Sequence, residues 1–329
     1  MTFSCPATVI VAKNAIERLG GLLGPYQHII CVTDEVIYAE YGDRLRRIIG
    51  HDPKWLMASS NQEQRTVQGK GDIIIGFGGG RSLDIAKILA TQMGLEWISV
   101  PTAASHDGIA SDVASVTQDG YRYSAKCRRP AAIVADLSIM SKAPPRLKLA
   151  GTGDVLCKAS SLAEWRLGND RNKEPLDEEA YSLVQSALSS VLRSNGLGTL
   201  VRAEIKAGRA MCIVGNSRPC SGTEHAISHA MDRRCQELHG LQVAFATPLC
   251  LYYLKELGYT RYGADYMIDI MRKRGLPTTL SEMRTTSELF IDDIHHALEI
   301  MRKRDRYSVL SGIADSGFAR AITNLYQTP

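Results

Sequence analysis

Three of the eight histidines fall within fifteen residues: His225 and His229 in SGTEHAISHAMD, and His239 in LHGLQV. Histidines at i and i+4 on a helix stack their imidazoles on one face, the geometry of helical metal sites. A surface helix with two incidental histidines accounts for the same spacing equally well. Ser221 with Glu224 three residues on is a capping-box pattern and predicts a helix opening there, while His239 stands at the head of a further apolar helix. Another ligand has to come from elsewhere, and Asp154 in GTGDVLCK is the best candidate, a lone carboxylate after two glycines at the start of an apolar helix. As a plain structural residue it would cap that helix. An Asp with two His leaves positions open for substrate or water, the catalytic rather than the structural arrangement of zinc. His295 and His296, being adjacent, point to different faces and are assigned no role.

A second chemistry is written in GDIIIGFGGGRSLDIAKILATQM, residues 71–93. Ile73 to Ile75 read as a buried strand that ends in Gly76, Gly78, Gly79 and Gly80. Ser82 then caps a helix with Leu83, Ala86, Leu89, Ala90 and Met93 at helical spacing, and Asp84 in its first turn. Glycines at such a turn let a ligand approach the backbone, and the helix start behind them offers unpaired N–H groups, so the unit is a seat for phosphate or pyrophosphate. Arg81 takes the place of the third glycine of G-x-G-x-x-G, and no P-loop Lys-Ser/Thr follows. A plain strand-to-helix turn is the alternative. Further on, PTAASHDGIASDVAS crowds Thr102, Ser105, His106, Asp107 and Ser111 into a loop of small residues, which either lines a cleft or caps a helix several times over.

The elements that position these groups fall into two textures. TVIVAKNAIERLGGLLG suggests a short strand and a helix closed by Gly20 and Gly21; HIICVTDE, KWLMASS, DIIIGFGGG, EWISVPT and AAIVADLS supply further strands, with helices between most of them. That alternation implies a parallel, doubly wound sheet. Asp34, at the end of the second strand, either grips a nucleotide ribose or caps the next helix. After Leu137 strand-like runs largely disappear, and Pro144 and Pro145 mark a boundary. The expected domains are an α/β domain over 1–140 and an all-helical one over 141–329.

Composition narrows the function classes. A chain of 329 residues suits two domains, at roughly 100–200 residues each. Its 44% hydrophobic and 22% charged residues describe a soluble globular protein, and its apolar runs are too short for a membrane span. The start of the sequence shows no export signal, so a cytoplasmic location is expected. Eight scattered cysteines without a C-x-x-C read as reduced core residues. A net charge of +4 fits an anionic small molecule and makes no case for nucleic acid. Exposed apolar helices in the second half point to a homo-oligomer.

In order, over residues 70–250, GFGGGRSLDIAK, VPTAASHDGIAS, ADLSIMSKAPPRLKLAGTGDVLCK, SGTEHAISHAMD and HGLQVA resemble the sn-glycerol-1-phosphate dehydrogenases. These belong to a larger group that includes glycerol dehydrogenase, dehydroquinate synthase and the iron-containing alcohol dehydrogenases. The resemblance implies a Rossmann-like parallel sheet followed by an all-α domain, and zinc bound by Asp154, His225 and His239. It implies substrate contacts from Asp107, Asp154 and His229, with Asp107 and His229 catalytic and His229 the proton carrier. It places NAD or NADP on Gly79, Gly80, Arg81, Ser82 and Asp84, on Thr102, Ala103, Ala104 and Ser105, and on Ser111. Arg81 bears on the choice of NADP over NAD. The implied reaction is reversible reduction of dihydroxyacetone phosphate at C2, supplying sn-glycerol 1-phosphate for ether phospholipids. Lys126, Arg128 and Lys158 are candidates for the substrate phosphate, although solvated surface charge explains any one of them. A polyol dehydrogenase of the same fold, a phosphate-eliminating cyclase and a non-catalytic binding protein are the competing readings.

Overall fold

A computed structural model describes residues 8–58, 70–118 and 121–326. Six strands form one all-parallel sheet: β1 (Thr8–Ala12), β2 (Ile29–Thr33), β3 (Lys54–Met57), β4 (Ile73–Gly78), β5 (Glu96–Pro101) and β8 (Ala132–Asp136), in the order β1-β8-β5-β4-β2-β3. Strands of a parallel sheet covered on both faces read as unbroken apolar runs, and every residue of β2, β4 and β8 is buried. Ile73 lies opposite Ile29 on one side and Glu96 on the other, which carries Gly78 and Pro101 to the same end of the sheet. Buried Asp136, at the end of β8, accepts from the backbone N–H groups of Asn14, Ile16 and Ser138 and so fastens the chain that leaves β1.

Local departures from the sequence reading have local causes. Gly20 and Gly21 do not close a helix; a 3₁₀ turn over Ala15–Arg18 leads into the short helix Leu19–Leu23, which contains both. The strand–helix alternation is interrupted by an antiparallel hairpin, β6 (Val113–Gln118) with β7 (Tyr121–Lys126). The helix after the glycine turn is Gly80–Met93 with Gly79 as its N-cap. Ser82 therefore sits inside the first turn rather than capping it, and Asp84 lies one residue beyond that turn. Asp34 caps Glu35–Ile49, its Oδ1 accepting from Ile37 N–H at 3.0 Å.

Contacts divide the chain into two compact units. The first comprises Met1–Lys148 together with Gly196–Asn216, so the helix Leu197–Val214 belongs with the sheet, a return that the sequence does not announce. Its core gathers Ile16, Ile29, Leu45, Ile75, Phe77 and Val134. The second unit, Leu149–Asn195 with Ser217–Pro329, is helical among its described residues, and its core gathers Leu167, Ile227, Phe245, Phe290, Phe318 and Tyr326. No helix among the described residues is long and apolar enough to cross a membrane.

Candidate functional site

In the second unit, two glycines bring the acid and one histidine together. Gly153 precedes Asp154 on the helix Pro145–Leu156, and Gly240 follows His239 at the head of the helix His239–Glu256. A Cβ at Gly153 would drive into the Gly240 carbonyl oxygen, and one at Gly240 into that of Ala150, so the helices touch backbone to backbone where Asp154 and His239 stand. Glycine is what such an approach requires. Asp154 is the tenth residue of its helix and not its cap, which removes the capping explanation of it.

Asp154 Oδ1 lies 3.6 Å from His225 Nε2, and the His225 and His239 rings are 5.1 Å apart, edge to face. One ligand atom from each of Asp154, His225 and His239 falls within 4.8 Å of the others. A carboxylate and two imidazoles at that separation fit a divalent cation of the zinc or ferrous class and leave positions for substrate or water. Lys158 Nζ is 3.3 Å from Asp154 Oδ2 and donates to the Cys220 carbonyl at 3.1 Å; all of its side chain is buried. Burial alone would raise the Asp154 pKa, but Lys158, then His225 and His239, hold it well below the usual carboxylate range. Burial also opposes a charged His225, yet Cys157, Asp154 and Glu224 around it hold its pKa well above the ordinary imidazole value. For Glu224 burial pushes the pKa up, but the hydrogen bond and charge of His225 together with backbone N–H groups, that of Gly222 among them, bring it down.

His229 sits one turn beyond His225 on Thr223–Met231, outside the compact donor set. Its ring stacks on that of His239 at 5.6 Å, and its Nδ1 is 4.0 Å from Asp232 Oδ2. The helix is capped by Gly222 rather than Ser221, and no side chain caps it. Glu224 instead reaches back to Gly222 N–H at 2.7 Å and forward to His225 Nδ1 at 2.9 Å. Sequence reasoning saw Glu224 only as a cap and missed Cys157, Ser228 and Gln242, which also bear on the histidines. The available signal was a lone polar residue in an apolar run, as Gln242 is in LQVAFA.

In the first unit, Gly78 ends β4 and the helix opens at Gly80, so the amides of the first turn face outward without intrahelical partners. Thr102 N–H donates to the Gly78 carbonyl at 3.0 Å, tying the buried Thr102–Ala104 stretch to the turn. A Cβ on Gly80 would collide with His106 Nε2, and His106 Nδ1 accepts from Gly108 N–H at 2.9 Å. A Cβ on Gly208 would meet the Asp107 carbonyl oxygen and the Ser111 nitrogen at 2.8 Å, so the helix Leu197–Val214 backs the loop that carries both residues. The glycines, Arg81, Ser82 and the Thr102–Ser105 stretch thus gather at the C-terminal ends of β4 and β5, where open parallel sheets take ligands.

Asp84 points elsewhere. Its two oxygens accept from Lys87 Nζ at 3.0 Å and Ser115 N–H at 3.2 Å, and the fully buried Lys87 also donates to the Val113 carbonyl at 2.9 Å. The pair clamps the helix to the start of β6. Of the phosphate candidates, Lys126 donates to Asp112 at 2.6 Å and to the Gly215 carbonyl, and Lys158 is spent beside Asp154.

A family model described as iron-containing alcohol dehydrogenase matches residues 10–144. The chain is 31% identical to a glycerol-1-phosphate dehydrogenase [NAD(P)+] of Hyperthermus butylicus, over 93% of this chain and 92% of that one. It is 32% identical to that of Archaeoglobus fulgidus over 95% and 94%. Among solved structures, a probable glycerol dehydrogenase from Sinorhizobium meliloti superposes with a TM-score of 0.74 at 22% identity, covering 98% of this chain and 97% of that one. A sulfoacetaldehyde reductase from Bifidobacterium kashiwanohense in complex with NAD+ gives 0.73 at 17%, covering 99% of each. At those identities the structures speak to the fold, which is that of the iron-containing alcohol dehydrogenases.

Proposed function

This chain belongs to the glycerol-1-phosphate dehydrogenase family, and on that premise we propose that it interconverts dihydroxyacetone phosphate and sn-glycerol 1-phosphate with NAD(P)H. The observation that carries the reading beyond family membership is the set of buried Asp154 and His225 with half-buried His239. Zinc held by those three residues would polarise the C2 oxygen of the substrate. Bound NAD(P)H would supply the hydride that substrate C2 takes up in the reducing direction, and the C2 oxygen would take one proton, giving NAD(P)+ and the secondary alcohol.

His229 is the proposed donor of that proton: it stands beside His239 without joining the donor set, and imidazole suits proton relay near neutrality. Asp107 and Asp154 are the further proposed substrate contacts. Gly79, Gly80, Arg81 and Ser82 would bind the cofactor's pyrophosphate through the first-turn amides, with Thr102 to Ser105 and Ser111 beside it. The proposed work of Asp84 is to hold Lys87 and the loop that follows.

Nicotinamide absorbance is followed with purified, zinc-supplemented protein, using NADH or NADPH with dihydroxyacetone phosphate or dihydroxyacetone and NAD+ or NADP+ with glycerol. Dihydroxyacetone phosphate should oxidise NAD(P)H faster than dihydroxyacetone does and faster than glycerol reduces NAD(P)+, and chiral analysis should find the 1-phosphate enantiomer. Faster turnover of glycerol chemistry would transfer the assignment to a polyol dehydrogenase. Metal analysis of the protein as purified decides between zinc and iron.

A further inference from the structure

A neutral imidazole carries one ring proton and binds a metal through the other nitrogen. A centre with two histidines therefore works only when both rings hold the right tautomer. The partner of the far nitrogen sets that choice.

At His225 the two nitrogens face different groups. Nε2 looks toward Asp154 Oδ1 at 3.6 Å, and Nδ1 lies 2.9 Å from Glu224 Oε1. A carboxylate can only accept. Glu224 is fully buried and its own position is fixed, by Gly222 N–H at 2.7 Å on one oxygen and the Ser160 hydroxyl at 3.0 Å on the other. Cys157 Sγ, 3.9 Å from the same Nδ1, gives its proton to the Asp154 carbonyl. Nδ1 of His225 therefore keeps its proton in either charge state, and in the neutral ring Nε2 presents its lone pair on the Asp154 side.

At His239 the same result is reached without a charge. Ser228 Oγ lies 2.8 Å from His239 Nδ1 and 2.7 Å from Gln242 Oε1. The amide is oriented from its other end, where Gln242 Nε2 donates to the Cys235 carbonyl at 3.1 Å. Gln242 Oε1 is an acceptor, so the one hydroxyl proton of Ser228 goes to it and Ser228 accepts from His239. Once more Nδ1 is the protonated nitrogen.

We propose that Glu224 and the Ser228–Gln242 relay are positioning residues that lock His225 and His239 in the Nδ1-protonated tautomer, so that both offer Nε2 to one divalent cation. The inference rests on the functional reading only in taking Asp154, His225 and His239 as the metal ligands. It separates the two histidines: a carboxylate makes His225 the more basic ligand, and a hydroxyl leaves His239 the more ordinary one.

Zinc affinity, read by chelator competition on the full chain, is compared for the parent, Glu224→Gln, Ser228→Ala and Thr223→Val. Each protein is first checked for native circular dichroism, and the ring nitrogens of the zinc-loaded parent are read by long-range ¹H–¹⁵N spectra. Glu224→Gln should weaken zinc binding about 10- to 100-fold, and Ser228→Ala by about tenfold. Thr223→Val removes a hydroxyl from the same helix without touching either histidine, and should melt earlier with unchanged affinity. Ser228→Ala deletes one atom and carries the test if Glu224→Gln fails to fold. Unchanged zinc affinity in both folded variants, an equal loss in Thr223→Val, an Nε2-protonated ring in either histidine, or a parent that holds no zinc overturns the proposal. A parent that binds zinc tightly yet leaves NAD(P)H untouched with dihydroxyacetone phosphate breaks the functional reading alone.

Discussion

In the proposed reading, the glycine turn of the first unit and the Asp154 centre of the second would bind by opposite means. At the turn, side chains have been cleared away: Gly78, Gly79 and Gly80 leave backbone amides to meet a ligand, and the fold contributes chiefly the start of a helix. At the centre, side chains do everything: Asp154 and His225 are buried and His239 half-buried, and each is held by a further buried group, Asp154 by Lys158, His225 by Glu224 and His239 by Ser228. A backbone seat tolerates many ligands that share a phosphate. A side-chain seat commits to one atom at one place, and a missing partner there leaves a buried charge exposed to its full desolvation cost.

If that contrast is right, substitutions at the centre should cost more than those at the turn, and each should spare the other region. Asp154→Asn is expected to be the most damaging. Loss of a metal ligand should lower kcat by on the order of 10³-fold. The buried Lys158 left without its carboxylate should cost about 3–5 kcal/mol of stability, read by chemical denaturation, while NADH still binds. Lys87→Met probes a buried pair in the first unit and should cost about 3 kcal/mol, because Asp84 loses its partner. Its zinc affinity should stay that of the parent, and a fall would mean that the two regions are coupled.

Gly80→Ala tests the turn itself. The new methyl meets His106, which predicts a loss of about 1–3 kcal/mol from overpacking and weaker NAD(P)H binding in a fluorescence titration. Unaltered cofactor binding would move the pyrophosphate away from this helix start. Arg81→Ala should have the smallest effect: an exposed charge is worth up to about 1 kcal/mol, so KM for NADPH should rise at most about fivefold and KM for NADH less. Equal changes for both cofactors would remove Arg81 from the choice between them.

The same contrast explains what could be read from the sequence. Glycines after a run of β-branched residues announce a strand-to-helix turn with open amides directly, because the residue types and the local conformation are one fact. The sheet was legible for the same reason, through unbroken apolar strands such as Ile29–Thr33. Helical spacing paired His225 with His229 and Asp154 stood out as a lone carboxylate, while the set of Asp154, His225 and His239 came from the resemblance of the surrounding strings. Their partners did not. Glu224 reads as a cap because a Glu three residues after a Ser looks the same whichever way its carboxylate turns, and Lys87 reads as an ordinary lysine on an amphipathic helix. Ser228 and Gln242 are fourteen residues apart, and only the packing of two helices makes them one relay. The hairpin Val113–Lys126 was missed because a strand–helix rhythm leaves no place for it.

The most direct measurement strips the protein with a chelator and follows two quantities through removal and zinc restoration: NAD(P)H binding by fluorescence, and NAD(P)H oxidation with dihydroxyacetone phosphate. The account predicts that oxidation disappears and returns with zinc, while cofactor binding stays within about twofold throughout, since the turn owes nothing to the centre. Oxidation that persists in the stripped protein would contradict it.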